Sequence, residues 1–216
     1  MLRTIIIFLF SLNSLNASQL IVVLSTHNSA TTAKLQRYEG SAKAYKKIGK
    51  EIEVNLGRSG MKRDKIEGDG AAPEGIFTLG KVFAYNKINT KMPFIKASSD
   101  LICVDDTSSK EYNKLLYISE SRGVKSFEFM KREDELYKYG IIINHNPKNR
   151  VPFGSCVFLH IEKSKNSPTS GCTSMSEKNL LTLIKWLDKK ENPIIIQTTQ
   201  KNCHKRVKYF KGVTCK

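Results

Sequence analysis

The sequence predicts a mainly β domain carrying two or three peripheral helices. Three observations carry that prediction. Short apolar runs recur along the chain and are bounded by glycine, proline, asparagine and serine. Few stretches show the 3.6-residue period of an amphipathic helix. The 216 residues, with a hydrophobic fraction of 40%, suit one core rather than two.

Residues 1–17 hold Arg3, the apolar run Ile5 to Phe10 and a polar stretch ending at Ala17. That is the order of a secretory signal peptide cleaved after Ala17, a retained N-terminal anchor being the alternative. The run is too short for an ordinary membrane span, and no later stretch is long and apolar enough. The mature protein is therefore expected to have no transmembrane span and to reside in a periplasmic or other extracytoplasmic compartment.

Leu20 to Leu24 reads as the first strand, followed by a polar turn in which His27 is a surface residue. Residues 33–54 alternate weakly between apolar and polar, with Tyr38-Glu39-Gly40 resembling a hairpin turn. Gly57 to Gly75 contains five glycines and Pro73 and is loop; it matches neither phosphate-binding glycine pattern. Ile76 to Tyr85 and Leu101 to Val104 read as strands separated by a polar loop. Ser108-Ser109-Lys110-Glu111 matches a capping box and predicts a short helix through Tyr112, Leu115 and Leu116. Phe127 to Tyr139 is amphipathic and charged, and Gly140 to Ile143 begins a buried strand that ends in a turn at Asn144-His145-Asn146-Pro147. Leu180, Leu181, Ile184 and Leu187 have helical spacing within residues 176–188, and Asn192-Pro193 stops that helix before a last core strand, Ile194 to Gln197. Residues 201–216, basic and containing His204 and two cysteines, read as a peripheral tail beyond a domain spanning 18–200.

The chemistry concentrates between Gly154 and Met175. Cys156, Phe158 and His160 share one parity of a strand, so His160 has a fixed face. After a polar loop broken by Pro168 comes Ser170-Gly171-Cys172, where Gly171 lets the main chain approach a carbonyl. Ser174-Met175-Ser176-Glu177 matches a second capping box, which predicts that Cys172 lies near a helix N-terminus and, beside His160, is held as a thiolate.

Five cysteines in an exported chain leave one unpaired, and a nucleophilic Cys172 is that one. Cys203 with Cys215 would close a small basic loop; Cys156 either pairs with Cys103 or is a free core cysteine. A zinc site of Cys156, His160 and Cys172 has no accompanying Cys-x-x-Cys or His-Glu-x-x-His spacing, and neither metal nor cofactor is expected. The net charge of +16 and pI near 9.6 would suggest nucleic acid in a cytoplasmic protein, but export removes that partner. An anionic envelope surface, the wall polymer, or a generally basic solvated surface accounts for it.

These residues resemble the L,D-transpeptidase catalytic domain family of bacterial cell-wall enzymes, whose signature places a histidine upstream of a Ser/Thr-His-Gly-Cys segment. The corresponding residues are His160, Thr169, Ser170, Gly171 and Cys172. The likeness is strongest from Gly154 to Gln197 and extends to Lys65 to Phe77 and to Asp105 to Asn113. Ser170 departs from the usual second histidine and Ser174 from a frequent arginine. A papain-like protease has the opposite order, cysteine before histidine.

The resemblance implies a β-sandwich-like catalytic fold with a helix after the cysteine. It implies that Cys172 attacks the third residue of a peptidoglycan stem peptide, that His160 serves as base, and that the terminal D-alanine leaves. Gly171, Ser170 and Thr173 would bind the oxyanion and substrate, with Ser170 orienting His160. The thioester would pass to a neighbouring stem's amine, or to water as in an L,D-carboxypeptidase. A wall-binding protein that no longer turns over is the reading from another class.

Overall fold

The computed structural model describes residues 17–41 and 43–215; the apolar run of the expected signal peptide lies outside them. In chain order the elements are β1 (Gln19–Ser25), β2 (Thr32–Ser41), β3 (Ala44–Asn55), β4 (Met61–Lys62), β5 (Ala72–Pro73), β6 (Gly75–Ala84), β7 (Phe94–Lys96), β8 (Leu101–Val104) and β9 (Leu115–Tyr117). There follow β10 (Phe127–Phe129), β11 (Tyr139–Asn144), β12 (Phe158–Ile161), β13 (Thr173–Met175), α1 (Glu177–Trp186), β14 (Ile194–Thr199) and α2 (Gln200–Val207).

The mainly β expectation holds, in the form of a large mixed sheet. β1 and β14 are rich in β-branched residues and buried on both faces, and they run parallel with Leu20 opposite Ile194. β2 and then β3 extend the sheet from β1, and β6 adds antiparallel to β14. The full order is β11, β12, β13, β3, β2, β1, β14, β6, β7, and β11 also pairs with β6, so the sheet folds back on itself. Ile21, Leu35, Val54, Leu79 and Ile195 fill the enclosed core, and α1 adds Leu180, Leu183 and Ile184. Each such aliphatic side chain contributes about 1.5–3 kcal/mol by leaving water.

A second core lies under α2, where Cys203, Val207 and Phe210 meet Leu20, Val22, Tyr45 and Ile196. The segment read as a peripheral loop is therefore helical and packed. Cys203 and Val207 stand four positions apart on one helical face hidden among lysines, and Phe210 follows in the turn beyond. The Cys203–Cys215 disulfide ties it down, as expected.

Three local expectations are corrected. The first hairpin turns beyond Ser41, not at Gly40, since Gly40 pairs with Tyr45 and Ser41 with Ala44. No helix follows Ser108: Asp106 accepts from the Ser108 main chain and hydroxyl at 2.8 and 2.6 Å, building turns that lead into β9. The stretches expected as loops at 57–75 and 86–100 contain short strands: β4 and β5 pair in parallel in the first, and β7 adds parallel to β6 in the second.

Candidate active site

β12 and β13 position the site. They run parallel with Leu159 opposite Thr173 and His160 opposite Ser174. Cys172, the residue before β13, falls beside Phe158, whose N–H donates to its Sγ at 3.3 Å. Side chains alternate across the sheet. Leu159 and Met175 enter the main core, while His160, Cys172 and Ser174 line a cavity of about 440 Å³. His160 and Cys172 are thus diagonal neighbours on one face of two adjacent strands. The expected short separation is met by parallel pairing, with residues 162–171 as the crossover.

The sulfur is held by main chain. Besides the Phe158 contact, the thiol points to the Cys156 carbonyl at 3.5 Å. Cys156 is not on the strand as expected; it has φ +54°, and its N–H donates to Asn113 Oδ1 at 3.0 Å. Desolvation pushes the Cys172 thiol up to about 12, with the nearby Glu128 carboxylate adding to the rise and the Phe158 N–H opposing it. No helix dipole acts on it, because β13 intervenes and α1 starts at Glu177; Ser176, not Ser174, is the N-cap. The resting cysteine is a thiol, which corrects the thiolate expectation.

His160 is 6% exposed, and burial pushes its pKa down to about 4. Its Nδ1 bonds the Ile161 carbonyl at 2.8 Å, which places the proton there and leaves Nε2 as the basic nitrogen. The ring packs edge-on against Tyr137, centroids 5.2 Å apart. At neutral pH the site therefore rests as a neutral thiol and a neutral imidazole. Ile161 and Tyr137, rather than Ser170, orient the imidazole.

The loop before the cysteine is tied by Thr169. Its hydroxyl donates to the Cys172 carbonyl at 2.6 Å and accepts from Gly171 N–H at 3.1 Å. Gly171 has φ +141°, a conformation that side-chain-bearing residues rarely adopt, and a Cβ there would press on the Ala71 carbonyl at 3.0 Å, so the backbone favours glycine and the space is tight.

The match to a family model decides the family. The model of the YkuD family, L,D-transpeptidase catalytic domain, matches residues 19–196. The chain belongs to this family. No curated protein matches the sequence. Among solved structures, the helical cell shape determining protein Pgp2 from Campylobacter jejuni is 14% identical, with TM-scores of 0.45 for a point mutant and 0.43 for the unmutated form. Both alignments cover 84% of this chain and 48% of that one. Bd1075 from Bdellovibrio bacteriovorus is 18% identical, with a TM-score of 0.40, covering 84% of this chain and 51% of that one. The chain spans about half the length of these structures.

Within this YkuD domain the residues matched to the signature converge. His160, Ser170, Gly171 and Cys172 all line the cavity. Thr173 does not: it is fully buried, and its hydroxyl donates to Gln197 Oε1 at 2.6 Å on the opposite face. Ser174 does line it, 1% exposed and with no hydrogen-bond partner for its Oγ. His145 faces a different cavity, with Nε2 3.0 Å from the Gly154 carbonyl. Cys103–Cys156 is a disulfide, and Cys172 is the free cysteine.

The sequence reading missed the wall opposite the thiol. Tyr137 donates to Glu128 at 2.7 Å and lies under the Arg132 guanidinium, while Glu67 accepts from Tyr112 and Ser155. Arg58, Lys65, Arg132 and Lys163 line the cavity together with Glu67, Asp105 and Glu128, so it offers both signs of charge. Tyr137 lies in the stretch read only as amphipathic and charged, and nothing in that pattern pointed to the site.

Proposed function

We propose that this chain is an exported cysteine-dependent acyltransferase acting on peptidoglycan stem peptides. The observation that carries the reading is that the one free thiol and a buried neutral imidazole share one face of adjacent strands and one cavity. Nε2 of His160 takes the Sγ proton as Cys172 attacks the carbonyl, so charge develops only as the bond forms. The Cys172 N–H receives the oxyanion, since the Gly171 N–H is occupied by Thr169. The imidazolium returns its proton to the departing amine of D-alanine, leaving a thioester. His160 then removes a proton from the acceptor amine, or from water, as it attacks. Residues 1–17 serve as the export signal, and 18–200 form the catalytic domain to which α2 and the tail are bolted.

Incubation with purified tetrapeptide muropeptides tests this, with Cys172→Ala as control. Cross-linked dimers lacking one D-alanine support the transpeptidase, and tripeptides alone support an L,D-carboxypeptidase. Unchanged substrate with both proteins leaves a wall-binding protein, a reading that the high thiol pKa favours.

A further inference from the structure

Lys65 alone among the described lysines and arginines is buried, at 6% exposure. It forms part of the wall between the thiol cavity and a second cavity lined by Arg63, Phe77, His145, Arg150 and Phe153. A Cβ built on Gly171 would stand 3.3 Å from its Nζ, so the ammonium lies against the residue preceding Cys172. Its charge favours the ionised form of Cys172 and disfavours protonation of His145, as proximity to both requires.

Asp69 holds the ammonium at 2.9 Å and is itself fixed by the N–H groups of Ala71 and Ile66, at 2.9 and 3.2 Å. Burying such a pair costs desolvation on both sides, and apolar replacements are often no less stable. Stability is therefore a poor account of its presence. An ammonium has three N–H donors. Asp69 accepts one, and the other two meet no protein acceptor among the described residues.

We propose that Lys65 binds a carboxylate of the molecule that reacts at Cys172, with Asp69 as its positioning residue. The group selected is a free carboxylate close to the attacked carbon, such as a peptide's C-terminus one residue beyond the acylated carbonyl. The peptide form of this ligand rests on the function proposed above; the carboxylate preference beside the sulfur does not.

Alkylation of Cys172 by iodoacetate and by iodoacetamide tests it, because the two reagents share carbon and leaving group and differ in carboxylate against amide. Rates are read by peptide mass mapping on the full chain with both disulfides intact. Lys65→Met combined with Asp69→Asn removes the pair without stranding a buried charge. The iodoacetate-to-iodoacetamide rate ratio should fall about tenfold, the order of one charge-assisted hydrogen bond. Lys65→Arg should preserve it. If the Lys65→Met, Asp69→Asn variant does not fold, Lys65→Gln combined with Asp69→Asn, which keeps a polar pair in place, carries the same expectation. An unchanged ratio overturns the proposal even if both rates move together, since a structural role alters them in common. The readout needs no stem peptide, so absent turnover on muropeptides leaves it standing. An unchanged ratio in a protein that does turn over removes Lys65 alone.

Discussion

Without substrate, Cys172 should react slowly and gain about tenfold in rate per pH unit between pH 6 and pH 9, because only the thiolate is nucleophilic. The pKa of about 12 stands about three pH units above the ordinary value of 9.0. At pH 7 the thiolate is then about a thousandfold scarcer than in an exposed cysteine. A more basic thiolate is a better nucleophile, and a Brønsted slope of about 0.4–0.5 returns roughly 20-fold of that loss in disulfide exchange. The net expectation is a rate about 50-fold below that of an unstructured cysteine, before any steric protection. Dithiodipyridine, neutral and read by absorbance, gives the profile directly, with Cys172→Ala as blank. A plateau beginning below pH 9 would refute the reasoning, because it would put the Cys172 thiol at or below its ordinary value instead of well above it.

His160 should leave a mark on acid stability. Its pKa of about 4 lies below the ordinary 6.5, so the unfolded chain binds the proton more readily; the contribution is present above pH 6.5 and lost as pH falls through 4. The full loss is about 3 kcal/mol, and His160→Gln should flatten the urea-unfolding difference between pH 7 and pH 4.5 by a comparable amount. Gly171→Ala should cost about 1–3 kcal/mol from its positive φ and its approach to the Ala71 carbonyl, read as a lowered melting temperature; an unchanged melt would contradict the strain. Replacing both Cys203 and Cys215 by serine should cost about 3 kcal/mol in unfolding. It should leave the Cys172 pH profile unaltered, since α2 packs in a core separate from the one beneath the thiol.

Much of this was legible in the sequence, and the reasons differ by element. Runs such as Ile194 to Ile196 and Leu101 to Val104 announce buried strands, because nothing polar interrupts them. His160, Gly171 and Cys172 were legible because strand parity, a favoured glycine and a motif agree. The capping-box matches at Ser108 and Ser174 misled, since the same serine and glutamate spacing suits turns and strand ends when tertiary pairing claims the backbone. α2 was hidden because its two apolar residues, Cys203 and Val207, are diluted by cations, and the packing of this segment depends on Tyr45, far away in sequence. The resting protonation of the thiol was not legible at all. It follows from burial against Phe158 and from Glu128, whose nearness only the folded chain reveals. Lys65 stood in the second matching segment, yet its burial against Gly171 required the fold.

The most direct test of the central claim is whether Cys172 carries an acyl group. The purified protein would be mixed with tetrapeptide muropeptide, quenched in acid and mapped by mass spectrometry. The account predicts a tripeptide-acyl adduct on the Cys172 peptide, lost on hydroxylamine treatment and absent from Cys172→Ala. Product formation by the Cys172→Ala protein, or an adduct on any other residue, would contradict it.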